Sequence, residues 1–214
     1  MEEILSRLKH LRVIPVVAVE KAADADPLAD ALKRGGLPCA EITFRTTAAA
    51  AAMQTMAARG DMLVGAGTVL TVDQVKIAMD AGAQFIVAPG FNPAVARYCV
   101  DNGIAYTPGV CTPSDIEAAL TFGLKLLKFF PAEAFGGLKT LKAMSGPYTA
   151  VEFIPTGGIS PDNLFDYLTF SKVAACGGTW LAKAALISAG RFDDIVQNVL
   201  KALEIISAAD GSDR

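Results

Sequence analysis

Histidine is nearly absent from this chain, with His10 alone, and the four cysteines at 39, 99, 111 and 176 include no CxxC pair. That scarcity excludes the usual zinc-site spacings, so no metal is expected. The cysteines read as small buried thiols of a reducing cytoplasm, and His10 as a surface or packing residue on a short amphipathic helix. A basic surplus is lacking too. With 19 Lys+Arg against 22 Asp+Glu, a formal net charge of -3 and a pI of about 5.2, nucleic acid is not an expected partner. No apolar run approaches the roughly 18 residues that would span a bilayer. The opening MEEILSRLKHLR alternates charged and apolar residues at helical spacing, unlike a signal or transit peptide. A soluble, cytoplasmic protein without membrane contact is expected. Finally, Glu20-Lys21 stand where a dinucleotide-binding sheet would place GxGxxG after its first strand.

What the chain does have is apolar material, 52% of 214 residues against 19% charged, enough for a sizeable core. It is arranged as a repeating cycle. The β-branched run 12–20 reads as a strand covered on both faces, and 26–33 as a helix stopped by Gly35 and Gly36. Strands are expected at 39–45, 63–69, 85–89, 105–110, 124–130, 151–156 and 173–176. Helices are expected at 47–59, 71–81, 92–101, 112–122, 137–144, 162–168, 180–189 and 193–208. Strict alternation means parallel strands with right-handed crossovers. Eight such units with no linker or composition shift predict one domain over 1–214, a (β/α)8 TIM barrel with a short N-terminal helix.

The chemistry centres on Lys128, inside the apolar run LKLLKFFPAE that ends at a proline. A lysine among Leu126, Leu127, Phe129 and Phe130, with no carboxylate beside it in sequence, is either a nucleophile toward carbonyls or a side chain that snorkels to the strand end or pairs with a distant acid. On the second strand Glu41 and Arg45 share a face by the period of two. They point a carboxylate and a guanidinium into the barrel mouth, or satisfy each other as a buried ion pair. Thr68 caps the third strand after Gly65 and Gly67, which leave room for a ligand. Pro89-Gly90 and Pro108-Gly109 read chiefly as turns at strand ends, with Pro89 retained among the substrate-binding candidates. Gly157-Gly158 after the seventh strand and Gly177-Gly178 after the eighth, each beside a threonine, Thr156 and Thr179, suit a phosphate cradle of backbone amides. Trp180 reads as a wall or helix anchor. Together these residues fit a phosphorylated keto substrate with a second anionic group.

Five stretches in order, Glu41-Ile-Thr-Phe-Arg45-Thr46, Gly65-Ala-Gly-Thr68-Val69, Lys128-Phe-Phe-Pro-Ala-Glu133, Pro155-Thr-Gly-Gly-Ile159 and Gly177-Gly-Thr-Trp180, resemble the 2-keto-3-deoxy-6-phosphogluconate (KDPG) aldolases, which often also act on 4-hydroxy-2-oxoglutarate (KHG). The resemblance covers essentially the whole chain. It implies a homotrimer of (β/α)8 barrels without cofactor or metal, cleaving KDPG of the Entner–Doudoroff route to pyruvate and glyceraldehyde 3-phosphate, with 4-hydroxy-2-oxoglutarate, cleaved to pyruvate and glyoxylate, as a further substrate. By the same resemblance Lys128 is the Schiff-base lysine and Glu41 the general acid/base. Arg45 and Thr68 hold the pyruvoyl carboxylate with Phe130 packed beside it, Thr156 lies near the hydroxyl that loses its proton, and Gly157, Gly158, Gly178 and Thr179 cradle the phosphate. Thr179 stands where serine is usual, and Phe44 where leucine is usual. An aldolase for the galactonate epimer, a phosphate-binding isomerase or epimerase using Lys128 only as a cation, and a sugar-phosphate sensor are the rival readings. Apolar outer-helix residues such as Phe165 and Tyr167 are read as interface or ordinary surface.

Overall fold

A computed structural model describes residues 1–211. Nine strands are present among them: β1 (Val13–Val17), β2 (Cys39–Thr43), β3 (Leu63–Gly67), β4 (Phe85–Val87), β5 (Ala105–Thr107), β6 (Gly109–Val110), β7 (Leu126–Phe129), β8 (Glu152–Pro155) and β9 (Cys176–Gly178). Ten helices alternate with them: α1 (Glu2–Leu11), α2 (Ala25–Arg34), α3 (Ala49–Ala58), α4 (Val72–Asp80), α5 (Pro93–Asp101), α6 (Pro113–Leu120), α7 (Gly137–Ser145), α8 (Leu164–Leu168), α9 (Ala184–Ser188) and α10 (Phe192–Gly211). Every strand pairing is parallel. Six strands form a sheet in the order β5-β4-β3-β2-β1-β9, and three form a second in the order β6-β7-β8. Single bridges, Phe153 to Val173 and Thr156 to Gly177, join β8 to the β9 segment.

The expected fifth strand is one run broken at Pro108. Proline has no N–H to give a ladder, and the chain changes partner there, from β4 on one side to β7 on the other. The Pro108 carbonyl still accepts from Lys128 N at 2.8 Å. The eighth strand lies later than its β-branched residues suggest, at Cys176–Gly178 rather than 173–176. The helix expected over 180–189 is only Ala184–Ser188, and the one over 162–168 begins at Leu164.

Helix starts follow local chemistry. Thr71 caps α4 by accepting from Gln74 N, Asn92 caps α5 by accepting from Ala94 N, and Thr112 with Asp115 closes a reciprocal capping box on α6. Burial works against ionisation of Asp115, but the Cys111 and Thr112 backbone donors and the Thr112 hydroxyl outweigh it and lower its pKa.

Two apolar layers result from strand alternation. Leu127, Phe129, Ile42 and Val64 face the helices, whereas Ile14, Cys39, Leu63, Phe85, Leu126 and Ile154 face inward and pack on Leu8 of α1. This inner cluster plugs the N-terminal ends of the strands. Gly65 makes it possible, because a Cβ there would lie 2.2 Å from the Phe85 ring. Burial pushes the Cys39 thiol well above its ordinary range, with the Glu41 charge adding to this and Arg7 opposing it. Burial does the same to Cys176, and pushes Cys99 up to about 12. These thiols fill space and stay protonated at neutral pH.

Arg12 fastens the ends of the chain together. Its backbone sits at φ 59 as the cap of α1. Its guanidinium donates to the carbonyls of Leu168 (2.8 Å), Ala174 (3.1 Å) and Val173 (3.2 Å), and its Nε to Asp210 of α10 (3.1 Å). Replacing Arg12 by alanine strips donors from three carbonyls at once. The expected cost is about 2–3 kcal/mol in the free energy of unfolding, read from urea denaturation. A change within about 0.5 kcal/mol, the scatter of ordinary surface substitutions, contradicts this role.

Candidate active site

Above the inner plug the same alternation turns from apolar to polar. On β7 Leu126 faces inward and Lys128 is the next inward residue. On β2 Cys39 is followed by Glu41 and then Thr43. Both charged groups are buried, with Lys128 5% and Glu41 3% exposed. Lys128 Nζ lies 3.2 Å from Glu41 Oε1 and 5.4 Å from the centre of the Phe130 ring. Lysine therefore does have a carboxylate partner, supplied by a strand 87 residues away in sequence. It neither snorkels outward nor stands alone.

Gly67 on β3 makes the space for Glu41: a Cβ there would come within 2.2 Å of Oε1 and 2.7 Å of Cγ. Of the two readings of Glu41 and Arg45, the mutual ion pair does not form, and both residues border the cavity. β2 ends at Thr43, so Arg45 leaves the strand period, and its Nε donates instead to Thr43 Oγ1 at 3.0 Å. Thr43 passes that bond on to the Val17 carbonyl at 2.9 Å. The guanidinium edge thus keeps its remaining N–H groups for the cavity.

The cavity, of about 180 Å³, is bounded by Lys128, Glu41, Arg45, Thr68, Pro89, Phe130, Thr156, Gly157 and Thr179, together with Val16 and Thr43. Thr68 holds φ 57, left-handed backbone that a β-branched residue rarely adopts, immediately after Gly67. Thr156 is buried and its hydroxyl donates to the Ile154 carbonyl at 3.4 Å. Gly177 leaves it room, since a Cβ there would lie 2.2 Å from Thr156 Oγ1.

The two glycine pairs divide. Gly157 and Thr179 line the cavity; Gly158 and Gly178 do not. Gly158, at φ 83, lies against the Glu133 side chain, where a Cβ would come within 2.5 Å. Glu133 is itself held by the buried Tyr167 hydroxyl, which donates to its Oε1 at 2.5 Å, and its N–H donates to the Gly157 carbonyl at 3.0 Å. Tyr167 is thus an internal brace rather than an outer-surface residue, while Phe165 is exposed. Gly178 backs onto Trp180, a Cβ there falling 3.0 Å from Nε1. Trp180 is buried, a wall as its sequence position suggests.

A second space of about 260 Å³ opens beside the first and shares Val16, Arg45 and Thr179 with it. Its remaining boundary includes Lys183, which belongs to none of the motifs. Val16 and Thr43 were likewise carried only by strands. The arrangement can join an amine to a carbonyl carbon, move a proton through Glu41, and bind anionic groups at Arg45.

A family model described as KDPG and KHG aldolase matches residues 4–198. The 2-dehydro-3-deoxy-phosphogluconate aldolase of Treponema pallidum (strain Nichols) is 47% identical over 207 residues, 96% of this chain and 99% of that protein. A crystal structure of KDPG aldolase from Legionella pneumophila, with pyruvate captured at low pH as a covalent carbinolamine intermediate, is 37% identical with a TM-score of 0.87, covering 89% of this chain and 93% of that one. The 2-keto-3-deoxy-6-phosphogluconate aldolase of Zymomonas mobilis ZM4 with 3-phosphoglycerate is also 37% identical, with a TM-score of 0.88 over 94% of this chain and 95% of that one. A buried lysine and glutamate in contact, at the strand ends of a parallel α/β fold so closely shared, lead to one assignment: the chain belongs to the KDPG and KHG aldolase family.

Proposed function

We propose that this chain is a class I aldolase that reversibly cleaves 2-keto-3-deoxy-6-phosphogluconate to pyruvate and glyceraldehyde 3-phosphate through a Schiff base on Lys128. The observation that carries the reading is the buried Lys128–Glu41 contact at 3.2 Å on the cavity floor. Transfer of the ammonium proton along that contact frees the amine. Nζ then attacks the C2 ketone, Glu41 hands that proton to the departing hydroxyl so that the carbinolamine loses water, and a protonated imine forms beside a Glu41 that is again a carboxylate. Glu41, directly or through a water, takes the C4 hydroxyl proton. The C3–C4 electron pair flows into the imine, releasing glyceraldehyde 3-phosphate and leaving an enamine. Glu41 returns the proton to C3, and water hydrolyses the imine to pyruvate and free lysine.

Arg45 and Thr68 bind the pyruvoyl carboxylate in this reading, a planar guanidinium being suited to bidentate contact. Phe130 and Pro89 form the apolar side, and Thr156 lies beside the reacting hydroxyl. Gly157 and Thr179 face the phosphorylated half, with Gly158 and Gly178 shaping their loops from behind. 4-Hydroxy-2-oxoglutarate, split to pyruvate and glyoxylate, is the second substrate of the same cycle.

The reading also takes the two sheets as one closed (β/α)8 barrel in a single domain. The Phe153–Val173 and Thr156–Gly177 bridges and the continuous chain across Pro108 support closure at both seams. A metal-free homotrimer in the cytoplasm completes it. Exposed apolar side chains such as Leu70 and Ile77 on and beside α4 favour assembly, and no helix among the described residues is long and apolar enough to cross a membrane.

Incubation with pyruvate followed by borohydride reduction and peptide mapping is expected to place a pyruvoyl adduct on Lys128 and to lose it in Lys128→Ala. A folded protein with no lysine adduct refutes the imine route. Glu41→Gln is expected to slow turnover by the ~10²- to 10⁴-fold typical of a lost general base while imine formation persists; an unchanged kcat means that another group moves the proton. Gly67→Ala pushes a methyl group into the Glu41 carboxylate. It should lower kcat by about 10²-fold, the cost of an ångström-scale misplacement, and a kcat equal to that of the unaltered enzyme rules out a fixed Glu41 as the proton carrier.

A further inference from the structure

We infer that Lys183 is a specificity-determining residue, recognising the terminal phosphate ester of the substrate from the second of the two adjacent spaces; this rests on the aldolase reading above. The first space, about 180 Å³ around Lys128, is smaller than the ~300–1,000 Å³ usual for small-molecule sites. It suits the three-carbon keto acid half. A six-carbon phosphate ester anchored at Lys128 must extend beyond it, and the space of about 260 Å³ that shares Val16, Arg45 and Thr179 with it as lining lies next to it.

The walls of that second space are chemically simple. Ala18, Ala182 and Ala184 offer no polar side chain, Thr179 offers one hydroxyl, and the two charged side chains are Arg45 and Lys183. No carboxylate lines it. Arg45 sits at the seam with its Nε committed to Thr43 Oγ1 and the rest of its guanidinium shared with the first space. Lys183 has no ion-pair partner within 4.0 Å among the described residues and is exposed at the outer end. An unpaired lysine in a lining otherwise made of apolar residues, one threonine and Arg45 is a receptor for a compact dianion, since its three donors form charge-assisted bonds to phosphate oxygens without a fixed approach direction. Backbone amides near Gly157 recognise the shape of a phosphate. Lys183 adds the charge, which an alcohol at the same carbon does not reward.

The test compares kcat/KM for 2-keto-3-deoxy-6-phosphogluconate with that for unphosphorylated 2-keto-3-deoxygluconate, by pyruvate release, in the unaltered enzyme, Lys183→Met and Lys183→Arg. The preference for the phosphorylated substrate is expected to fall by roughly 10- to 100-fold in Lys183→Met, the range of one charge-assisted bond, mainly through KM. Lys183→Arg should recover most of it. A preference in Lys183→Met equal to that of the unaltered enzyme overturns the assignment, as does an equal fall in kcat/KM for both substrates. The pyruvate–borohydride adduct is measured in parallel because it involves only the three-carbon half. An adduct on Lys128 together with an unaltered preference sinks Lys183 alone, whereas no adduct in the unaltered enzyme sinks the aldolase reading and Lys183 with it.

Discussion

One contact between two buried, oppositely charged side chains governs the upper half of this molecule. Lys128 and Glu41 come from strands that are not neighbours in either sheet, and both are almost wholly buried. Taking both charges out of water costs several kcal/mol per ion, and their attraction recovers that only when the geometry is held. The neighbouring residues can be understood as the means of holding it. Glu41 is paired in register with Gly65, and Gly67 next along β3 clears its carboxylate; Lys128 is paired in register with Gly109. Interior space is apportioned large against small, so that removing a side chain on one strand fixes where the next strand's polar group must go.

The pair is poor value as a stability device. Apolar residues of similar volume at both positions would often be neutral or stabilising, and removing one partner would leave a buried charge at a cost of roughly 3–5 kcal/mol. Its rationale is chemical: an amine next to a group that can take and return its proton. The strength to tolerate it comes from elsewhere. The plug of Leu8, Ile14, Leu63, Phe85, Leu126 and Ile154 lies one layer below, the sheet-to-helix layer surrounds it, and Arg12 ties α8, α10 and the approach to β9 into one unit.

Much of this was legible in the sequence, and the failures share a cause. The strand announced by a β-branched run, Val13–Val17, and helices with capping residues, such as those starting at Thr71, Asn92 and Thr112, fall where their patterns put them. Lys128 lies on the inner face with Glu41. What local pattern cannot carry is the identity of the neighbour across the interior. Whether Lys128 pairs with a distant acid stayed open because that acid is 87 residues away, and a Glu41–Arg45 pair stayed possible because the period was extended past Thr43, where the strand stops. The glycine pairs looked equivalent because a glycine needed for a ligand and a glycine needed for Glu133 or Trp180 read alike. Tyr167 read as surface because its hydroxyl partner, Glu133, lies on another loop. Lys183 carried no motif at all.

Strain is distributed in the same way as polarity. Thr68, a β-branched residue at φ 57, costs on the order of 1–3 kcal/mol relative to an unstrained backbone. Its conformation is imposed by bonds on either side: Gly67 O accepts from Phe44 N at 2.9 Å, and Val69 N donates to Val87 O at 3.1 Å. With both flanks tied to neighbouring strands, the chain passes through Thr68 in this left-handed conformation, and Thr68 borders the cavity. Glycine would adopt that turn without strain but would bring no hydroxyl. Gly67, the strained threonine after it and the buried ion pair lie toward the C-terminal ends of β2, β3 and β7, whereas the N-terminal ends are filled by apolar packing. The two ends of these parallel strands thus answer to different demands, the lower to cohesion and the upper to chemistry that cohesion alone would not select.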